Sequence, residues 1–158
     1  MEIRPMTDDD IAAVLRLNSD SVWALSPLDA DKLEAYRTAA AFALVCAVDG
    51  AVAAFTIAYA PGAAYGSINY QWHAERFDDF VYLDRIAVDP AFRRRGIAGA
   101  MYDVVEAAAK PHGRMVCEVY SNPPNTGSLA FHEARGYREV GHLVQANGST
   151  TVMLEKAL

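Results

Sequence analysis

Apolar positions along the chain switch between two periods, every third or fourth residue in some stretches and continuous or alternate in others. These are the marks of helices and of strands. Met1 to Pro5 reads as a short strand. Thr7 predicts a helix start: it can cap, Asp8 to Asp10 fill the first turn, and Ile11, Val14, Leu15 and Asn18 follow helical spacing. A second helical segment begins near Asp29 and carries Leu33, Tyr36 and Arg37. Phe42 to Val48 reads as a buried strand, Asp49-Gly50 as a tight hairpin turn, and Ala51 to Tyr59 as its partner.

From Ala60 to Asp79 the periodicity stops. Pro61, Gly62 and Gly66 break regular structure, so this stretch is predicted to be a long loop of the kind that is functional or mobile. Phe80 to Val88 is the clearest strand and Asp89-Pro90 ends it. Gly96 to Lys110 is a strongly amphipathic helix with Ile97, Met101, Val104, Val105 and Ala108 on one face, stopped by Pro111 and Gly113. Arg114 to Tyr120 is a strand, Pro123-Pro124 breaks it, and a short helix runs from about Thr126 to Arg135, with Gly136 at its left-handed stop. Tyr137 to Val144 and Thr150 to Lys156 are the last strands, joined across Asn147-Gly148, a type I′ signal. The order β-α-α-β-β-β-α-β-α-β-β predicts an α/β (α+β) fold: a mixed, mostly antiparallel sheet with helices packed on it. The strand-helix-strand step from Phe80 to Tyr120 should be a right-handed parallel crossover.

At 158 residues with no repeat, linker or low-complexity stretch, the expectation is one domain from residue 1 to 158. The balance of 53% hydrophobic and 22% charged residues is that of a folded globular protein rather than a disordered one. A formal net charge of -6 disfavours a globally basic nucleic-acid binder. The longest apolar run, Ala39 to Val48, is half of what a bilayer crossing needs, and Glu2 with Asp8 to Asp10 interrupts any secretory h-region. Cys46 and Cys117 each sit in an apolar stretch, as expected for buried, reduced thiols in a cytoplasmic protein. Scattered histidines at 73, 112, 132 and 142 have no metal-ligand spacing, so no metal is expected.

One segment stands apart from this background. Arg93-Arg94-Arg95-Gly96-Ile97-Ala98-Gly99-Ala100 joins the clearest strand to the clearest helix, with three consecutive cations followed by small residues. Small residues at a helix start let a ligand approach the backbone, and the free amides there bind anions. Arginines at the positive end of a helix oppose its dipole unless an anion neutralises them. The segment therefore points to a polyphosphate or similar anionic ligand. The standard phosphate loops, Gly-x-x-x-x-Gly-Lys-Ser/Thr and Gly-x-Gly-x-x-Gly, are absent.

Arg93-Arg94-Arg95-Gly96-Ile97-Ala98 fits Arg/Gln-x-x-Gly-x-Gly/Ala, and so resembles the acetyl-CoA motif of the GCN5-related N-acetyltransferase (GNAT) superfamily. Leu83 to Pro90 is similar to that family's fourth strand, and Asn125 to Tyr137 to its Asn-x-x-Ser/Ala block ending in Gly-aromatic. Together the three blocks imply an acetyl-CoA-dependent N-acetyltransferase or, as the alternative, a non-catalytic acyl-CoA-binding regulatory module on the same fold. Backbone groups of Ile86, Ala87 and Val88 would pair with the pantetheine arm as an added strand. Amides from Arg94 through Gly99 (Arg94, Arg95, Gly96, Ile97, Ala98, Gly99), with Arg93 beside them, would hold the pyrophosphate. Asn125 would contact the pantetheine and Phe131 would lie beside its thioester end. The two strands flanking the long helix would splay apart to admit the acetyl group.

The resemblance also sets the acid and base candidates. Family members often carry a tyrosine as general acid where this chain has His132, which could donate a proton or could be a plain helix-surface side chain. On the strand before the motif, Tyr82, Asp84, Ile86 and Val88 share one face, so Asp84 or Tyr82 could act on the acceptor amine; Glu118 is a third candidate, and Asp84 could equally be ion-paired to Arg85. A lysine-like amine with a pKa of about 10.4 is neutral in only about one molecule in 10³ at neutral pH, against roughly a tenth or more of an α-amine. Without a well-defined base, small amines and α-amines are therefore expected to be better acceptors than lysine side chains. The acceptor is expected to be a small-molecule or peptide amine, with no nucleic acid and no membrane involved. Tyr65, Asn69, Tyr70, Trp72 and His73 would serve either that acceptor or a homodimer contact.

Overall fold

A computed structural model describes residues 1–158. Its strands are β1 (Glu2–Pro5), β2 (Phe42–Val48), β3 (Ala51–Tyr59), β4 (Val81–Val88), β5 (Arg114–Asn122), β6 (Arg138–Val144) and β7 (Thr150–Ala157). Its helices are α1 (Ile11–Asp20), α2 (Ala30–Ala39), α3 (Ile68–Ala74), α4 (Ile97–Ala109) and α5 (Thr126–Ala134). The strands form one sheet in the order β1-β2-β3-β4-β5-β7-β6, antiparallel except for the β4–β5 pair that α4 connects. This is the mixed sheet with one parallel crossover that the apolar pattern predicts.

Local chemistry explains several element boundaries. Asp49 and Gly50 both have positive φ (50° and 80°), as a two-residue turn twisted with its strands requires. Asp29 caps α2, accepting from the Lys32 amide at 2.8 Å. Before α1, Asp10 accepts from the Thr7 amide at 2.8 Å and pairs with Arg4 at 2.7 Å. The Arg4 guanidinium holds the Asp10 carboxyl well below the usual carboxylate range.

The sheet separates two apolar layers. On one face Val14, Leu17 and Leu33 from α1 and α2 pack on Val45, Phe55, Ile57 and Tyr82. On the other, Tyr102, Val105 and Ala109 from α4 pack on Val81, Leu83, Met115 and Cys117. Both cysteines are free and buried. No helix is long and apolar enough to cross a membrane.

Two expectations are corrected. The stretch from Ala60 to Asp79 contains α3, capped by the Ser67 hydroxyl, and its aromatic side chains turn inward. Tyr70 is 5% exposed and His73 0%, while Tyr65 stacks on Tyr59 with ring centroids 4.0 Å apart. The seven-residue helix escapes a periodicity search because its inward positions are Tyr and His, which bury as part of a shared aromatic cluster rather than as an aliphatic stripe. The β6–β7 connection is also not a type I′ turn. Asn147 lacks a positive φ; Gly148 alone is left-handed (φ 83°), and its amide closes the turn onto the Gln145 carbonyl at 2.9 Å. The result is a wider, five-residue connection.

Candidate active site

The β4–β5 junction positions the site. The two strands pair only at Val81↔Met115 and Tyr82↔Val116, then part. β4 stays paired to β3 as far as Val88↔Ala54, and the Asp89 amide donates to the Ala53 carbonyl at 2.8 Å. Alternation along the strand therefore turns the Ala87 backbone toward β3 and leaves the polar groups of Ile86 and Val88 facing the opening. An unpaired strand edge inside a sheet is a template for an extended ligand.

Where β4 ends, the chain turns into α4. Gly96 sits at the N-cap with φ 76°, and Arg94 is held at φ 60°, a conformation uncommon for a residue with a side chain. No side chain caps this helix, so its first amides are free. Arg93, Arg94, Arg95 and Gly96 are exposed, and Ile97 is buried as the anchor of the first turn. Arg93 donates from Nε to the Val88 carbonyl at 3.3 Å, and the Arg95 guanidinium lies 5.2 Å from the Phe92 ring centre. Three cations, free amides and a helix dipole thus converge where the strand edge ends.

At the other end of the opening lies a cavity of about 480 Å³. Asp84, Glu118, Tyr102 and His132 line it, with Asn69 and Gln145 closing it from α3 and the β6–β7 turn. Gln145 Nε2 donates to Asn69 Oδ1 at 2.8 Å and to Thr151 Oγ1 at 2.9 Å.

Two carboxyls in this cavity differ sharply. Asp84 is fully engaged: Oδ1 accepts from the Tyr65 hydroxyl at 2.7 Å, and Oδ2 accepts from Arg85 Nε at 2.8 Å. Arg85 is itself held, its guanidinium donating to Asn18 Oδ1 at 2.9 Å and to the Ser26 hydroxyl at 3.0 Å. Glu118 accepts from the Tyr82 hydroxyl on Oε1 at 2.8 Å, while Oε2 is shielded from water and has no partner. Burial, helped by the Asp84 charge, pushes the Glu118 carboxyl up to about 8. Tyr82 also lies 3.3 Å from Asp84 Oδ1, so one phenolic proton stands between two carboxyls.

His132 is 4% exposed, and burial lowers its pKa, leaving it a neutral imidazole. The Ser128 carbonyl, 2.7 Å from Nδ1, places the ring proton there, so Nε2 accepts from the Tyr102 hydroxyl at 2.7 Å.

Comparison with known proteins places the chain as a whole. The acetyltransferase (GNAT) family profile matches residues 10–137. The chain belongs to the GNAT family. A stretch of 57 residues is 35% identical to an uncharacterized N-acetyltransferase of Methanocaldococcus jannaschii, covering 36% of this chain and a quarter (25%) of that protein's length. Among solved structures, Ard1 from Thermoplasma volcanium superposes with a TM-score of 0.79 at 18% identity, over 99% of this chain and 97% of that one. A putative acetyltransferase from Salmonella typhimurium, solved with its cofactor acetyl-CoA, gives 0.73 at 18%, over 99% and 93%.

Acetyl-CoA is the co-substrate of GNAT enzymes, and this chain's residues fit it: a free strand edge suits an amide-bearing arm, and an uncapped helix start with three exposed arginines suits a pyrophosphate. No three His, Cys, Asp or Glu side chains are grouped to hold a metal ion. The sequence-predicted residues divide into two sets within this GNAT fold. Ile86, Val88 and the run from Arg93 through Gly99 gather along the opening, where Asn125 caps α5 by accepting from the Ser128 amide at 3.2 Å. Phe131 lies edge-on to Tyr102, centroids 5.1 Å apart. Asp84 and His132 line the cavity and Tyr82 lies buried behind Glu118, and all three are already hydrogen-bonded within the protein. The free acceptor there is Glu118. Tyr102 and Gln145 also line the cavity without a sequence signal, because each reads as an ordinary core or turn residue until the fold brings it there.

Proposed function

We propose that this GNAT protein transfers an acetyl group from acetyl-CoA to a primary amine of a small molecule or an α-amine, the amine attacking the thioester directly so that the C–N bond forms, the C–S bond breaks and CoA leaves as its thiolate. Bound acetyl-CoA supplies the activated acyl group. The chain supplies position and proton handling: Ile86 and Val88 present a strand edge, the α4 start with Arg93 to Arg95 receives the phosphates, and Glu118 takes the acceptor's proton. The observation that carries this reading is Glu118, which lines the cavity just past the point where β4 and β5 part and whose buried Oε2 has no hydrogen-bond partner. A base is most useful when its pKa lies near the operating pH. Glu118 at about 8 is matched to α-amines near 7.7–8.0 and lies more than about two units below lysine.

Proximity and a matched base together favour low-pKa amines over lysine side chains. Asp84 and Tyr82 then act as positioning residues for Glu118 rather than as bases. The experiment is to follow CoA release from acetyl-CoA with alaninamide and with an acetyl-capped lysine amide between pH 6 and 10. The expected result is alaninamide turnover with kcat/KM rising through about pH 8 as Glu118 ionises, and slower lysine turnover at pH 7. No turnover with either amine, despite acetyl-CoA binding, would overturn the reading.

A further inference from the structure

The charges lining the cavity define more of the acceptor than its amine. Two carboxyls face it, Asp84 and Glu118, and the only Lys or Arg in its lining is Arg85. That guanidinium is 4% exposed and is committed to Asp84 Oδ2, Asn18 Oδ1 and Ser26, the last through both hydroxyl and carbonyl. His132 is neutral with both ring nitrogens engaged. The roof, Asn69, Gln145 and Thr151, is uncharged and bonded to itself. A second anion brought in beside the amine would meet Asp84 and give up hydration with no free cation to receive it.

We propose that the acceptor is a primary amine with no carboxylate or phosphate on the neighbouring atoms: a simple amine, an amino-acid amide or ester, or the amino end of a peptide, and not a free amino acid. The selection rests on the reading of this cavity as the acceptor site. It also follows that the arginines at the α4 start serve the donor alone, since none of Arg93, Arg94 or Arg95 lines the cavity.

The test compares alaninamide with alanine, each kcat/KM referred to the neutral-amine concentration, on the wild type at low ionic strength. The free acid is the more basic amine, so intrinsic nucleophilicity works against the expected order. The amide should be preferred at least tenfold. Two variants should lower that preference: Asp84→Asn, which releases Arg85 from its carboxylate, and Ile68→Lys, which adds a cation at a 50% exposed cavity position and leaves the buried network untouched. Equal turnover of both acceptors would overturn the selection while leaving the acetyltransferase reading intact. A preference unchanged in a folded Ile68→Lys protein would overturn its electrostatic origin. Turnover of neither acceptor with acetyl-CoA bound would overturn both the selection and the cavity assignment.

Discussion

The two ends of the β4–β5 opening are built on opposite principles. The proposed donor end is contiguous in sequence, exposed and cationic, and most of the groups assigned to it are backbone amides of one turn, Arg94 to Gly99. The proposed acceptor end is assembled from β4, β5, the loop after α1, α3, α4, α5 and the β6–β7 turn, is more enclosed, and carries the carboxyls of Asp84 and Glu118. An anion can be recognised in water by a few preorganised amides and cations, so that end needs little enclosure. A base with a raised pKa exists only where burial and a neighbouring charge create it, so that end needs the whole fold.

The largest way to separate the two ends is Glu118→Gln. Loss of a positioned base should cut kcat/KM by roughly 10²–10⁴, leave the acetyl-CoA Kd unchanged in calorimetry, and abolish the rise through pH 8. Weakened acetyl-CoA binding instead would show that the ends are not independent.

The same variant should shift stability by a few kcal/mol. The Glu118 proton is held more tightly in the folded state (about 8) than in the unfolded chain (4.5). Its contribution is therefore fully present below pH 4.5 and lost as pH rises toward 8. The melting temperature of Glu118→Gln relative to wild type should climb between pH 5 and 8 and then level off. A flat difference would remove the case for a buried, protonated Glu118.

The donor end is broken by changing Arg93 and Arg95 to Ala. Each lost charged hydrogen bond should weaken acetyl-CoA binding by about 1–3 kcal/mol, with a reduced salt dependence and little change in rate at saturating acetyl-CoA. A rate loss under saturation would instead link these arginines to the chemistry.

The smallest effect expected is at the scaffold of the acceptor end. A Cβ added at Gly141 in β6 would lie 2.5 Å from Trp72 Cζ2, where Arg76 stacks on the indole from 3.7 Å. Gly141→Ala should displace Trp72, cost about 1–3 kcal/mol by overpacking, and move acceptor KM before acetyl-CoA Kd. An unchanged acceptor KM would detach α3 from the acceptor site.

Legibility in the sequence followed the same division. The strands and helices around Phe80 to Tyr120 could be read directly, as could the Arg93 to Ala98 motif, because periodicity, a breaker and a small-residue helix start are properties of neighbouring residues. Helix α3 could not, since its inward face is aromatic and polar. At the acceptor end the sequence put Asp84 and Tyr82 forward as bases, Glu118 only as a third candidate, and His132 as the acid. The proposed ranking came from contacts between distant residues: Tyr65 and Arg85 occupy Asp84, Tyr102 occupies His132, and Tyr82 reaches across 36 positions to one oxygen of Glu118 and leaves the other free. Local sequence thus determined the elements and the uncapped, arginine-flanked turn at the start of α4, because backbone geometry there depends on residues a few positions apart. Tertiary structure decided which carboxyl is available and at what pKa, because desolvation and Coulomb interactions depend on distance in space.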